Sequence, residues 1–314
     1  MRKILPLVLT GLFAVSACQL VGDDDPGDEA HRLNAMTSFP LHAYLPDAGS
    51  ADGKAIGTAQ WIVARKCMVR LGFTGFKTLD IRTVDATYPV RQGTLAGSSS
   101  RLGDDSPYGV DDPDLAAEHG YHDRPHDEGT DQAMEWPADQ YTALTGTFES
   151  GESHQAHGRP IPEKGCMGEA LRKIAGPEPE PTEIGGIKLT GHYSVAATLW
   201  YTAHKAATKK AAWKKAGRAW SDCMKKAGFH YPGPDEASAD SDWFGTEKAS
   251  GKEKKTAAAD ARCKLDTEYI QSVHAIESRA QKDAIAQHKK ALEDQRAADA
   301  RTLANARRIV AGQS

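Results

Sequence analysis

One seven-residue pattern occurs twice in this chain and restricts its fold more than any other feature. The pattern Cys-Met-x-x-x-Gly-Phe stands at residues 67–73 and again at residues 223–229. Its spacing is typical of a helix end, where glycine turns left-handed and phenylalanine folds back onto the methionine and cysteine of the last turn. Each copy therefore predicts a cysteine held one turn before a helix terminus, a position suited to a disulfide bond.

The start of the chain has the layout of an export signal. Arg2 and Lys3 precede an apolar stretch, residues 4–15, that is too short to span a bilayer. The ending Val15-Ser16-Ala17-Cys18 resembles the lipobox of bacterial lipoproteins. This resemblance implies removal of a signal peptide, lipidation of the Cys18 thiol with diacylglycerol and palmitate, and a location on the outer face of the cytoplasmic membrane. An ordinary secretory signal and a membrane anchor are the alternatives.

The remaining four cysteines form an even set for an oxidising compartment. Four thiols allow three pairings, and the repeat favours joining each copy to the next cysteine: Cys67 with Cys166, and Cys223 with Cys263. Each bridge would contribute roughly 4 to 5 kcal/mol by the chain-entropy model. That matters because 39% hydrophobic residues with 29 Gly and 16 Pro indicate a small core. A zinc site is the competing interpretation, although no Cys-x-x-Cys pair occurs.

The predicted fold is mainly α, with disulfide-stapled helical units, long loops and a long C-terminal helical hairpin. We expect a signal peptide at 1–17, a flexible acidic tether at 18–38, an N-terminal stapled helical and loop unit at 39–176, a Pro/Gly linker at 177–190, and the helical hairpin at 191–314.

Helices are predicted at 56–71, 112–118, 137–144, 165–174 and 193–227, with a short strand or extended segment at 78–84. Residues 252–311 contain neither Gly nor Pro, so one continuous helix of roughly 90 Å is expected there. Beyond Ala280 its apolar stripe thins. That part is interpreted as a weak coiled coil or solvated arm, or as a helix that folds back onto the body.

A histidine-rich loop at 118–128 is the first candidate for chemistry. His119, His122 and His126 lie among carboxylates and form a possible metal site, for zinc or another borderline metal. The spacing matches no helical His-Glu-x-x-His motif, and solvated loop histidines are the simpler interpretation. No cofactor is predicted.

A basic patch is the second candidate. Residues 184–221 contain no Asp or Glu, whereas three Trp and several cations occur there. Basic residues interleaved with Trp can lie on anionic lipid or bind an acidic wall polymer. The alternative is that the Trp residues are core and the cations a solvated face. The patch consists of Lys205, Lys209, Lys210, Lys214, Lys215 and Arg218.

Other function classes find little support. The net charge of −4 does not favour nucleic acid as a partner. The chain contains no Gly-x-Ser-x-Gly nucleophile motif and no Walker-type phosphate loop, so no catalytic residue is predicted.

Four stretches of the chain resemble a family of uncharacterised secreted lipoproteins in actinobacteria. They are residues 39–45, the first Cys-Met-x-x-x-Gly-Phe copy, residues 108–112 with Gly120-Tyr121, and residues 158–166. The resemblance spans most of the mature chain and implies an exported, lipid-anchored protein without indicating an activity.

Three functions follow from these features. The favoured one is a non-enzymatic envelope binding or scaffold protein that contacts an envelope protein or an anionic wall polymer through its helical hairpin. The second is an envelope hydrolase or metal-binding protein that uses the histidine-rich loop. The third is an accessory lipoprotein of a transport system.

Overall fold

The structure is a computed structural model that describes residues 39–82, 84, 89–92, 107–122, 134–243, 245 and 248–312. The predicted signal peptide, Cys18 and the tether lie outside these residues. The described part is mainly α-helical, which confirms the predicted fold class. Its α-helices are α1 (Ala51–Leu71), α2 (Pro113–His119), α3 (Ala138–Thr145), α4 (Gly165–Ala175), α5 (Val195–Ala207), α6 (Ala211–Lys226), α7 (Pro234–Ser238), α8 (Gly251–Asp266), α9 (Tyr269–Gln287) and α10 (Lys289–Ala311).

Short strand pairs and 3₁₀ helices connect the helices. The described strands are β1 (Val90–Arg91), parallel to β2 (Glu135–Trp136), and two antiparallel pairs, β3 (Gln155–Ala156) with β4 (Arg159–Pro160) and β5 (Thr182–Ile184) with β6 (Ile187–Leu189). The 3₁₀ helices are Pro40–Tyr44, Thr74–Lys77 and Ser241–Trp243. The β5–β6 hairpin occupies the predicted linker.

Both copies of the repeated pattern end a helix as predicted. The glycine has a positive φ in each, 107° at Gly72 and 91° at Gly228. The N–H of the following phenylalanine donates to the methionine carbonyl, at 3.0 Å in the first copy and 2.9 Å in the second. These are the bonds of a Schellman motif, which satisfies carbonyls that the helix end would otherwise leave unpaired.

The predicted disulfide pairing is also confirmed. Cys67 bonds to Cys166 with a Cα–Cα distance of 5.6 Å, and Cys223 bonds to Cys263 at 5.7 Å. Glu268, with φ of 50°, follows α8 in the left-handed conformation, so Cys263 lies one turn before a left-handed residue as well. The second bridge therefore joins the C-terminal turns of α6 and α8.

The two long continuous helices that we predicted are each interrupted. The 193–227 helix breaks between α5 and α6, and the 252–311 helix breaks at Thr267-Glu268 and again at His288. The Thr267 hydroxyl donates to the Cys263 carbonyl at 2.6 Å, and Glu268 turns the chain. Neither Gly nor Pro occurs at these breaks. Packing against the rest of the protein, and not local helix propensity, therefore decides where the helices end.

No strand forms in the described part of the segment 78–84, which we predicted as a short strand or extended segment. After a 3₁₀ helix, Thr78 lies in a bend, residues 79–80 have no regular secondary structure, and residues 81–82 form a turn. The Asp80 carboxylate accepts from the backbone N–H of Arg82 at 3.0 Å, and this local bond replaces the one that a strand neighbour would make.

The last helix is packed on the body and is not a free arm. Leu292 of α10 is buried against Leu199 of α5 and the β5–β6 hairpin. Near its other end, Ala306 is buried against Ala59 of α1 and Ile174 of α4. The helix therefore joins hydrophobic clusters of the predicted N-terminal and C-terminal units.

A buried ionic group fastens the 107–122 segment to the C-terminal helices. Asp260 of α8 accepts from Lys264 at 3.1 Å, from Trp220 at 2.9 Å and from the Tyr121 hydroxyl at 3.2 Å. Lys264 also donates to the Val110 carbonyl at 2.9 Å. Burial raises the pKa of Asp260, and the Lys264 ammonium opposes that shift.

A second buried carboxylate joins α9 to α5. Glu277 accepts from the Tyr108 hydroxyl at 3.0 Å, and its Oε2 lies 3.0 Å from Nδ1 of His204. The neighbouring Gln281 accepts from the backbone N–H of Leu41 at 3.1 Å. Residues 39–45 and 107–122, which precede the predicted linker, thus pack on helices that follow it.

Replacing the glycine of each repeat with alanine should separate backbone strain from crowding. A left-handed alanine costs roughly 1–2 kcal/mol, so Gly228→Ala should lose about that much, since nothing lies within 4 Å of the added Cβ. Gly72→Ala should lose more, because its Cβ would lie 3.0 Å from the His157 ring. Urea unfolding of the two variants measures the difference. Equal losses would show that His157 moves aside freely.

The contribution of His204 should depend on pH. The hydrogen bond with Glu277 raises the pKa of His204 above its ordinary 6.5, with Asp235 adding to the shift and partial burial opposing it. A raised folded-state pKa stabilises the protein fully below the unfolded-state pKa, and this stabilisation is lost as pH rises through the folded-state value. His204→Gln should therefore lower the free energy of unfolding more at about pH 5.5 than at about pH 9. The exposed His230→Gln is the control, and a pH-independent loss at His204 would contradict the assignment.

Candidate functional site

The six cations of the predicted basic patch lie together on α5, α6 and the turn between them. All six side chains are exposed. Among the described residues none of them forms an ion pair, and Lys205 lies 5.9 Å from the centre of the Tyr201 ring. Tyr201 is itself 55% exposed. We call this set of six cations the basic surface.

The sequence explains why the lysines of the basic surface have no ion-pair partner on their own helix. On α10, Lys289 and Lys290 each have an acidic residue four positions later and form ion pairs with it. The stretch 184–221 offers no such acid to the five lysines, and Asp222, four positions after Arg218, forms no ion pair with it among the described residues. In addition, α6 has Lys210 as its N-cap residue and no acidic residue in its first turn, so the positive end of the helix dipole adds to the same field.

Of the tryptophans interleaved with the cations, one belongs to the core and the two half-buried ones pack against it. Trp220 is fully buried. Trp200 packs on Phe39 with ring centres 4.9 Å apart, and Trp213 meets the Tyr108 ring edge-on at 5.8 Å. This confirms the interpretation of the Trp residues as packing groups, and it leaves the lysines and arginine as the exposed part of the pattern.

A recess of about 320 Å³ lies beside α6. Trp213, Tyr269 and two prolines form part of its wall, and Lys214 and Arg218 of the basic surface line it together with Asp235 and Glu236. Burial raises the pKa of Tyr269, and the nearby Asp235 carboxylate adds to the shift, so its hydroxyl stays neutral. A concave wall with rings and both charges suits a polar ligand that carries anionic groups.

A larger groove, of about 630 Å³, lies between α5 and α9. Alanine is the most frequent residue of its lining, which also contains Leu199, Ile276, Lys210 of the basic surface and Arg279 of α9. This groove was not predicted from the sequence. The sequence signal for it was the recurrence of alanine along the predicted 252–311 helix, where large apolar residues become rare. Small side chains on two facing helices leave space between them.

Of the histidines predicted as metal ligands, the described His119 and His122 line one small cleft together with Asp111 and Asp112. His122 Nδ1 lies 2.7 Å from Oε1 of the buried Glu253, which also accepts from the backbone N–H of Tyr121. His119 lies beside Glu118, at 3.8 Å. His126 lies outside the described residues. Within the described ranges, no group of three or more His, Cys, Asp or Glu side chains is arranged to hold a metal ion.

The described helices give no membrane span, since none of them combines the necessary length with sufficient apolar character. Comparison of the chain with protein-family models, with curated proteins and with solved structures found no match. The site is therefore interpreted from its own geometry.

Proposed function

We propose that this protein is a non-enzymatic lipoprotein, anchored through Cys18 on the outer face of the cytoplasmic membrane, that binds an anionic polymer of the cell envelope. The observation that carries the binding role is the basic surface, because its exposed cations lack ion-pair partners among the described residues. Such cations attract a polyanion without first breaking internal contacts.

The shape of the site favours a polymer over a bilayer. A bilayer-binding helix inserts several aromatic side chains below its cations. Here Trp220 is buried and Trp213 is held between Tyr108 and His204, so among the described residues Tyr201 is the one exposed aromatic side chain beside the cations. The recess beside α6 also contains Asp235 and Glu236, which a uniformly anionic membrane would repel. A chain of separated anionic groups can place its charges on Lys214 and Arg218 and its uncharged parts against the aromatic wall.

The extracytoplasmic location rests on two features. The residues that end at Cys18 resemble a lipobox. Two disulfide bonds, which form and persist in oxidising compartments, are consistent with export. The predicted membership of an actinobacterial lipoprotein family agrees with both.

The other two functions remain predictions. A hydrolase or metal-binding role would use His122, whose ring is already engaged by Glu253. A role as a transport accessory requires capture of a small ligand, and the groove between α5 and α9 is the feature that favours it.

Neutralising the basic surface should remove polymer binding. The triple variant Lys214→Gln/Lys215→Gln/Arg218→Gln should weaken binding of poly(glycerol phosphate) about tenfold or more, since each exposed charge pair contributes roughly 0.5 kcal/mol. The control variant Lys289→Gln/Lys290→Gln/Arg301→Gln carries the same charge change on α10. Both are made in the mature chain with Cys18→Ser, and affinity is measured by calorimetry at low and high salt.

Three results would contradict the binding proposal. They are an equal loss in the α10 variant, binding of neutral dextran as tight as that of poly(glycerol phosphate), and affinity that salt does not change. Binding to anionic vesicles with the same dependence on the three cations would replace the polymer by the membrane.

The anchor has its own test. Cys18→Ala should move the protein from the membrane fraction to the medium or the soluble fraction, because the thiol that carries the lipid is gone. Immunoblotting of fractionated cells measures this, with Cys67→Ala/Cys166→Ala as a cysteine control that keeps the anchor. Membrane retention of the Cys18→Ala variant would overturn lipidation at this residue.

A further inference from the structure

The groove between α5 and α9 is distinct from the recess that serves the proposed polymer site. The residues of α9 that line it recur at successive steps of one and three, as one face of a helix does: 275, 276, 279, 280, 283, 284 and 287. That face runs for roughly 18 Å along α9. The opposite wall comes from α5 and the start of α6.

The floor of the groove is apolar and is not filled by side chains. Leu199, Ala203, Ala206, Ile276 and Ala280 contribute to it. Its volume of about 630 Å³ lies within the usual range for small-molecule sites. A hydrocarbon chain placed there would remove both itself and these side chains from water, which is favourable in proportion to the apolar area buried.

The charged residues that line the groove favour a negatively charged ligand. Lys210 and Arg279 line it, and neither forms an ion pair among the described residues. One carboxylate, Asp283, lines it too, so the charge of the lining is net positive even with His288 neutral. Helices α5 and α9 run antiparallel, because His204 meets Glu277 whereas Val195 meets Gln295 of the following helix. Lys210 therefore lies toward the Ala275 end of the groove, whereas Arg279 and Asp283 lie one helical turn apart on either side of its middle.

We propose that this groove binds a single-chain amphiphilic anion, an alkyl chain that ends in a carboxylate. The alkyl chain lies along the alanine floor, and the carboxylate is bound by Lys210 and Arg279. This gives the protein a second ligand in addition to the polymer, and Lys210 belongs both to the basic surface and to the lining of the groove.

Calorimetric titration of the mature chain with Cys18→Ser, using octanoate, decanoate and dodecanoate below their micelle concentrations, tests the proposal. Affinity should rise with chain length, by at most about fourfold per methylene. Dodecanol and dodecyltrimethylammonium, which have the chain without the anion, should bind at least tenfold more weakly than dodecanoate.

Variants with matched controls locate the site. Ala206→Trp places a ring in the groove at an exposed position and should abolish dodecanoate binding, whereas Ala219→Trp, on the exposed side of α6, should not change it. Arg279→Gln should weaken binding about tenfold, whereas Lys282→Gln, an exposed cation of α9 outside the groove, should leave it unchanged.

Several outcomes would overturn this assignment: no binding of dodecanoate, equal binding of dodecanol, or equal effects of the variants and their controls. Sedimentation showing a dimer that Ala206→Trp dissociates would make a second copy the occupant instead. The two proposals fail separately. Ala206→Trp and Arg279→Gln should keep poly(glycerol phosphate) binding, and the Lys214→Gln/Lys215→Gln/Arg218→Gln variant should keep dodecanoate binding.

Discussion

The structure depends on cysteines held at helix ends. Cys67, Cys223 and Cys263 each lie one turn before a left-handed residue, and two bonds join them to one another and to Cys166. Helix ends are where local opening normally begins. A covalent bond at that point, next to a Schellman motif or a left-handed Glu268, fixes both the last turn and the direction in which the chain leaves it. Helical layers with few large apolar residues can then keep a defined arrangement.

Buried carboxylates and exposed cations differ in whether they have partners within the protein. The buried carboxylates Glu253, Asp260 and Glu277 each have hydrogen-bond donors from distant parts of the chain, so they hold segments together in a defined register. The exposed cations of α5 and α6 have no such partners among the described residues. The interior acids therefore serve the fold, whereas the surface cations remain available to a ligand. The overall negative charge of the chain hides this local excess of positive charge.

The sequence predicted the features that depend on local chemistry. Glycine and phenylalanine at fixed distances from Cys67 and Cys223 predicted both helix ends, and the lack of acids over 184–221 predicted the basic surface. It could not predict features that depend on distant contacts. The break at Glu268 has no glycine, the fit of His122 to Glu253 joins residues 131 positions apart, and the groove arises from alanines on two helices. In each case a tertiary neighbour decides the outcome, and only the groove has a local signal in the sequence, the recurrence of alanine.

The position of α10 has a consequence for how the chain reaches its final state. Arg307 binds Asp52 at 2.6 Å, and Ala306 covers Ala59, so the last helix completes the surface of the first. A polypeptide threaded through a translocation channel with its N-terminus leading would present α1 long before α10 arrives. The Cys67–Cys166 bond lies wholly ahead of α10 in the chain, so it can close during that interval. Passage through the channel from the N-terminal side would thus give a disulfide-bonded intermediate in which α1 is still exposed to solvent. This face of α1 is buried only when the C-terminal helix has left the channel and packs on it.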